Sequence, residues 1–140
     1  MGQTEKAIQL FEQNLKDAEE NFLKQIVVLI SRQLIVIYHK IAENFENDEN
    51  ENIQEALFYY EKCLNVAQKA EDQEAEGSIC YKIGLLYFKS NDYEKTIEYQ
   101  NKYLEIASNN PVGIFNFSFI CLLSKNYNLS NNLCKNFKFI

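Results

Sequence analysis

The chain has 140 residues, 46% of them hydrophobic, with one proline, four glycines, ten Phe, nine Tyr and no Trp. That is enough for one domain with a real core, and too few turn formers for a β-rich architecture. Residues 1–111 carry all 20 acids against 11 Lys and Arg, a net of -9. This disfavours nonspecific binding to nucleic acid or to an anionic membrane, because phosphate is repelled.

Five segments place apolar residues at helical spacing, near 4–20, 24–46, 52–71, 74–90 and 93–108. The first presents Ala7, Ile8, Phe11, Asn14, Leu15 and Ala18. The second contains the most apolar run, Ile26 to Ile37, broken by Ser31, Arg32 and Gln33. That run is far shorter than the roughly 20 residues a membrane span needs, and it reads as a buried helix. Seven acids and no base lie between Lys40 and Lys62. They suit a solvated face and loop, or a docking patch for a basic partner. Polar breaks separate the later segments, with Asp92 as the N-cap of the fifth, and Pro111 ends the ordered pattern. The start of the chain is polar and helix-forming, so no signal peptide is expected.

Self-comparison reveals a repeat. The third segment's Ile53, Ala56, Leu57, Tyr60, Cys63, Leu64 and Ala67 return 40 residues later as Tyr93, Thr96, Ile97, Gln100, Tyr103, Leu104 and Ala107. The second and fourth segments also match, with Tyr38, Ile41, Ala42 and Phe45 against Cys80, Ile83, Gly84 and Tyr87. Ala7, Ala56 and Thr96 keep helix axes close at crossings. Gly84 costs about 1 kcal/mol relative to Ala inside a helix, so close helix approach must require it. A two-helix unit thus occurs about two and a half times, beginning with an orphan second helix.

The stretch GSICYKIGLLYFKSNDYEKTIEYQNKYLEIASNN, residues 77–110, resembles a tetratricopeptide repeat over its full unit length. Ile83-Gly84, Tyr87, Asp92-Tyr93, Ile97 and Leu104 fall where that family places its Leu-Gly, Tyr, Asp-Tyr, Ile and Leu. Residues 35–74 match less tightly, and the whole is similar to the subclass with repeats near 40 residues, as in kinesin light chains and cell-polarity scaffolds. Two positions depart from the pattern. Thr96 replaces the usual Ala, and Ser108 stands where the family places a proline. The run from Glu76 to Ile106 most resembles ciliary members of the family.

The resemblance implies an all-α fold, an α-α superhelix whose concave face is lined by the first helix of each unit. It implies a non-enzymatic scaffold or adaptor that binds peptide segments or helices of other proteins, cytoplasmic and in a cilium or flagellum with axonemal or transport partners. The alternative is a soluble cytosolic adaptor that takes a short peptide transiently. Carried over by position, the partner-binding residues are Val36, His39, Lys40 and Glu43 from one unit and Ser78, Tyr81, Lys82, Leu85 and Lys89 from the next. A solvated helix face is the plain alternative for these nine. The family's chaperone-tail clamp is disfavoured, since His39 and Glu43 hold its first pair of positions and Glu43 would repel a carboxylate.

No catalytic, metal or cofactor residues are assigned. His39 is the single imidazole, and the residues three and four away on its helix are Ile35, Val36, Ala42 and Glu43, with no nucleophile. Cys63, Cys80, Cys121 and Cys134 form no CxxC pair, which leaves zinc without a ligand set and points to reduced thiols in an intracellular compartment. The repeat domain is expected over 1–111. Residues 112–140 have five Phe, six Asn, three Lys and no acid. By origin this tail reads as a translated intron or frameshift that truncates a longer array, and by behaviour as a cap on the last repeat. A membrane- or partner-docking segment is the third alternative. So short an array should leave the apolar sides of its first and last helices partly open.

Overall fold

The computed structural model describes residues 2–47 and 52–108. Three acids of the 40–62 run, the boundary at Pro111, Cys121, Cys134 and the whole of 112–140 lie outside the described residues. Five helices follow one another: α1 (Gly2–Glu20), α2 (Lys24–Glu46), α3 (Ile53–Lys69), α4 (Gln73–Lys89) and α5 (Tyr93–Ser108). No strand occurs among the described residues.

The three short turns share one local design. Phe22, Glu71 and Asn91 take positive φ of 57°, 54° and 61°. In each turn the next amide reaches back five residues: Leu23 N to Ala18 O (2.9 Å), Asp72 N to Ala67 O (3.0 Å) and Asp92 N to Tyr87 O (2.9 Å). This pattern satisfies the end carbonyls of the finished helix and reverses the chain. Asp72 and Asp92 then cap the next helix, accepting from Ala75 N at 3.1 Å and Lys95 N at 3.2 Å. Leu23 stands at the same place in the first turn and offers no side-chain cap.

A left-handed backbone costs an ordinary L-residue roughly 1–2 kcal/mol, and Asn tolerates it better than an aromatic. Phe22→Gly is therefore expected to raise unfolding stability by about 1 kcal/mol, and Asn91→Gly by less. Urea denaturation followed by helical circular dichroism would measure both. A loss on Phe22→Gly would mean that the ring stabilises the isolated chain.

The helices pair most extensively as α2 with α3 and α4 with α5, then α3 with α4 and α1 with α2. These are consecutive antiparallel hairpins, stacked side by side. Ion pairs Lys62–Glu12 (3.0 Å) and Lys69–Glu19 (2.8 Å) tie α3 to α1. Lys82 and Lys89 tie α4 to α2. Two layers result: α1, α3 and α5 in one, α2 and α4 in the other.

The repeat seen in sequence is a repeat of burial. Ala56, Tyr60, Cys63 and Ala67 are buried on α3, and Thr96, Gln100, Tyr103 and Ala107 are buried 40 positions later on α5. Gly84 meets the expected close approach: a methyl group added there would lie 3.1 Å from Gln100 Cδ and 3.3 Å from Gln100 Cγ. Two expectations change. Asn14, assigned to the apolar stripe of α1, is exposed. The open apolar surface lies mainly on α2 and its leading turn, with Leu10 on α1 and Phe58 on α3, and none of the exposed large apolar side chains belongs to α5.

The Ile26–Ile37 run belongs to a helix of 23 residues. Among the described residues, α2 alone is long and apolar enough to cross a membrane by length and composition. One side of it packs into the helical core through Leu34, Tyr38 and Ala42.

Candidate partner-binding face

The nine sequence-assigned residues fall on the α2–α4 layer. Val36, Lys40, Ser78 and Lys89 are exposed, while His39, Glu43, Tyr81, Lys82 and Leu85 are half-buried. The structure brings four of them into one charged cluster. Glu43 lies 3.6 Å from His39 Nδ1 and 3.8 Å from Lys82 Nζ. Val36, Lys40, Ser78 and Leu85 make no polar contact in that cluster.

The centre of the cluster is Glu46, which the sequence assignment missed. Its carboxylate pairs with Lys82 at 3.6 Å and Lys89 at 3.7 Å, and it accepts a hydrogen bond from Tyr60 Oη at 3.1 Å. Glu46 sits one turn after Glu43, with its lysines on the next unit's first helix. That charge match was visible in the sequence. The register between α2 and α4 was not.

The cluster alters what the face can bind. Glu43 and Glu46, at 3.6–3.8 Å, offset part of the charge of Lys82 and Lys89. Arg32 and Lys40, on the same helix as Val36, make no ion pair with a described residue. The exposed α2 surface is therefore apolar and basic, although the chain as a whole is acidic.

Buried hydroxyls and thiols here are held neutral. Burial, then the neighbouring Glu46, pushes the Tyr60 phenol far above its ordinary value of 10.0. Burial, then its hydrogen bond to Glu12, does the same for Tyr38. That bond, opposed by partial burial and aided by Lys62, holds the Glu12 carboxyl below its ordinary value. Burial pushes the Cys63 thiol up to about 12 and the Cys80 thiol to about 11. Cys63 donates to the Ile35 carbonyl at 3.4 Å. A buried, protonated thiol is a poor nucleophile, so its neighbourhood to His39 builds no Cys–His pair.

A groove of about 550 Å³ lies on the other layer, between α1 and α3. Its walls are joined by Lys62, which pairs with Glu12 and lies over the rings of Tyr38 (5.3 Å) and Phe58 (5.4 Å). Those internal contacts explain its shape, and it contains none of the assigned residues. No group of three or more His, Cys, Asp and Glu suited to a metal ion occurs among the described residues.

Residues 77–110 match the tetratricopeptide repeat family. Over 105 residues the chain is 26% identical to tetratricopeptide repeat protein 29 of Trypanosoma brucei brucei (strain 927/4 GUTat10.1). The alignment covers 75% of this chain and 21% of that relative, so the chain spans about a fifth of the relative's length. With consecutive hairpins, a 40-residue burial repeat and small residues at the crossings, the described residues fold as an all-α helical-hairpin solenoid of the tetratricopeptide repeat kind.

Proposed function

We propose that this protein is a non-enzymatic scaffold that holds other polypeptides against the layer formed by α2 and α4. The observation that carries the proposal is a solvent-facing helix, α2, bearing exposed Val36 and a Lys40 that makes no ion pair with a described residue, inside a repeat array of a family that serves protein–protein interaction. The nine assigned residues, and the division into a repeat domain over 1–111 and an appended segment over 112–140, are part of the proposal. Likeness to tetratricopeptide repeat protein 29, and of the Glu76–Ile106 run to ciliary relatives, supports a cytoplasmic role in a cilium or flagellum, with axonemal partners.

The test is native size-exclusion of source-cell extract combined with proximity labelling. The wild-type chain should migrate in a large, stable assembly with a reproducible set of neighbours. Lys40→Glu/Ser78→Arg, at two exposed positions, should strip those neighbours at least tenfold while leaving helical content unchanged, a loss of roughly 1.4 kcal/mol or more. A small free species that gains companions only on crosslinking would instead indicate the transient peptide adaptor. Unaltered companions in the double variant would rule out this face.

A further inference from the structure

We infer that the exposed side of α2 is the docking surface for an acidic amphipathic helix of a partner polypeptide. This rests on the proposed polypeptide-binding function and names the chemistry of the partner. Phe22, Ile26, Leu29 and Val36 are 93%, 44%, 62% and 65% exposed. Phe22 stands in the turn that leads into α2, while Ile26, Leu29 and Val36, spaced by three and seven residues, lie in one row on the helix, which Gln33 and Lys40 complete. The row is opposite the buried one of Ser31, Leu34, Tyr38 and Ala42. A helix that is apolar on two opposite sides is normally covered on both.

Internal comparison shows that the fold itself does not need this row. Where the first turn has Phe22 and Leu23, the equivalent turns have Glu71 and Asp72, and Asn91 and Asp92. The α4 position matching Val36 is Ser78, by the same shift of 42 that relates Tyr38 to Cys80. The fourth helix has 17 residues against 23 in the second, so the turns carrying Ile26 and Leu29 have no counterpart.

Charge selects the occupant. Between Glu20 and Glu43 there is no acid, while Lys24, Arg32 and Lys40 line the segment. Lys24 is paired with Glu71 at 2.9 Å; Arg32 and Lys40 have no ion-pair partner among the described residues. They stand eight residues apart, about 12 Å along the helix. A partner helix with an apolar seam and flanking carboxylates satisfies both features. The chain's own 112–140 segment has three lysines and no acid, and would be repelled. Among the described residues, a second copy offers only Leu10 and Phe58 as large exposed apolar side chains outside α2 and its turn, one each on α1 and α3. An anionic bilayer shares the complementary charge, but the acidic remainder of residues 1–111 opposes it.

The test uses the full chain and a fluorescent synthetic peptide of about 20 residues, with leucines at i, i+4, i+7 and i+11 and flanking glutamates. A second peptide carries lysines in place of the glutamates. By anisotropy the Glu-flanked peptide should bind at least tenfold more tightly than the Lys-flanked one. Ile26→Asp/Leu29→Asp should weaken it a further tenfold or more, and Arg32→Glu should narrow the preference between the peptides. All these sites are exposed, so circular dichroism melting curves should stay unchanged. Equal binding of both peptides, or indifference to Ile26→Asp/Leu29→Asp, would overturn the inference. So would sedimentation with phosphatidylcholine–phosphatidylserine vesicles in the absence of peptide binding, which would assign the face to membrane. If Lys40→Glu/Ser78→Arg strips the cellular neighbours while the peptide results fail, the scaffold function stands and this inference alone falls.

Discussion

Tyr60→Ala is expected to cost about 4 kcal/mol, enough to leave the folded state of a marginal domain barely populated. The side chain is fully buried on α3, with its ring edge-on to His39 at 5.5 Å between centroids. Its hydroxyl reaches Glu46 on α2, and Glu46 in turn holds Lys82 and Lys89 on α4. Truncation therefore opens a cavity at the junction of two hairpins. Tyr60→Phe separates packing from hydrogen bonding. It should cost only about 1 kcal/mol, because Glu46 keeps both lysines and is not left unpaired.

The same pair of variants has a pH signature. The Tyr60 phenol is raised in the fold, so the neutral form is the one the fold favours. Its contribution is complete below the unfolded value near 10 and is lost as pH rises above it. Tyr60→Phe should remove part of the alkaline loss of stability that the wild-type chain shows, with Tyr38, Tyr99, Cys63 and Cys80 among the groups that supply the remainder. Urea titrations at neutral pH and above pH 10 would measure this. A shallow effect of Tyr60→Ala at neutral pH would mean that the hairpins do not depend on this junction.

Most of the helical layout was legible because each segment carries a 3.6-residue apolar period and most breaks carry polar turn residues. Asp92 reads as a cap in sequence and acts as one. What was hidden depends on how helices face one another. Ile79 and Leu86 lie outside the α4 stripe but are buried. That helix contacts both α3 and α5, so more than one of its sides is covered. Asn14 is exposed because α1 packs at the end of the stack. On α2 the period itself is ambiguous, since apolar residues occupy opposite sides and nothing in sequence says which one faces the core. Glu46 needed the register between successive first helices, which follows from the stacking of whole hairpins rather than from local pattern.

Gly84 and Gln100 should behave as a coupled pair. The α4 glycine lies beneath the Gln100 side chain of α5, which is 2% exposed and has an oxygen with no hydrogen-bond partner among the described residues. An alanine at 84 would gain about 1 kcal/mol of helix propensity. It would also force a buried amide out of place, at about 1–3 kcal/mol. The net expectation is a loss of about 1–2 kcal/mol, because a well-packed interior leaves that amide little room to swing away. Shortening the neighbour removes the obstacle, so Gly84→Ala/Gln100→Ala should be more stable than the two single changes sum to, by about 1–2 kcal/mol. The register repeats the logic of the first hairpin, where Ala42 and Tyr60 hold the corresponding positions and both are fully buried. A double-mutant cycle by urea denaturation decides the matter. If Gly84→Ala alone proves stabilising, Gln100 swings aside freely and close approach is not what requires the glycine.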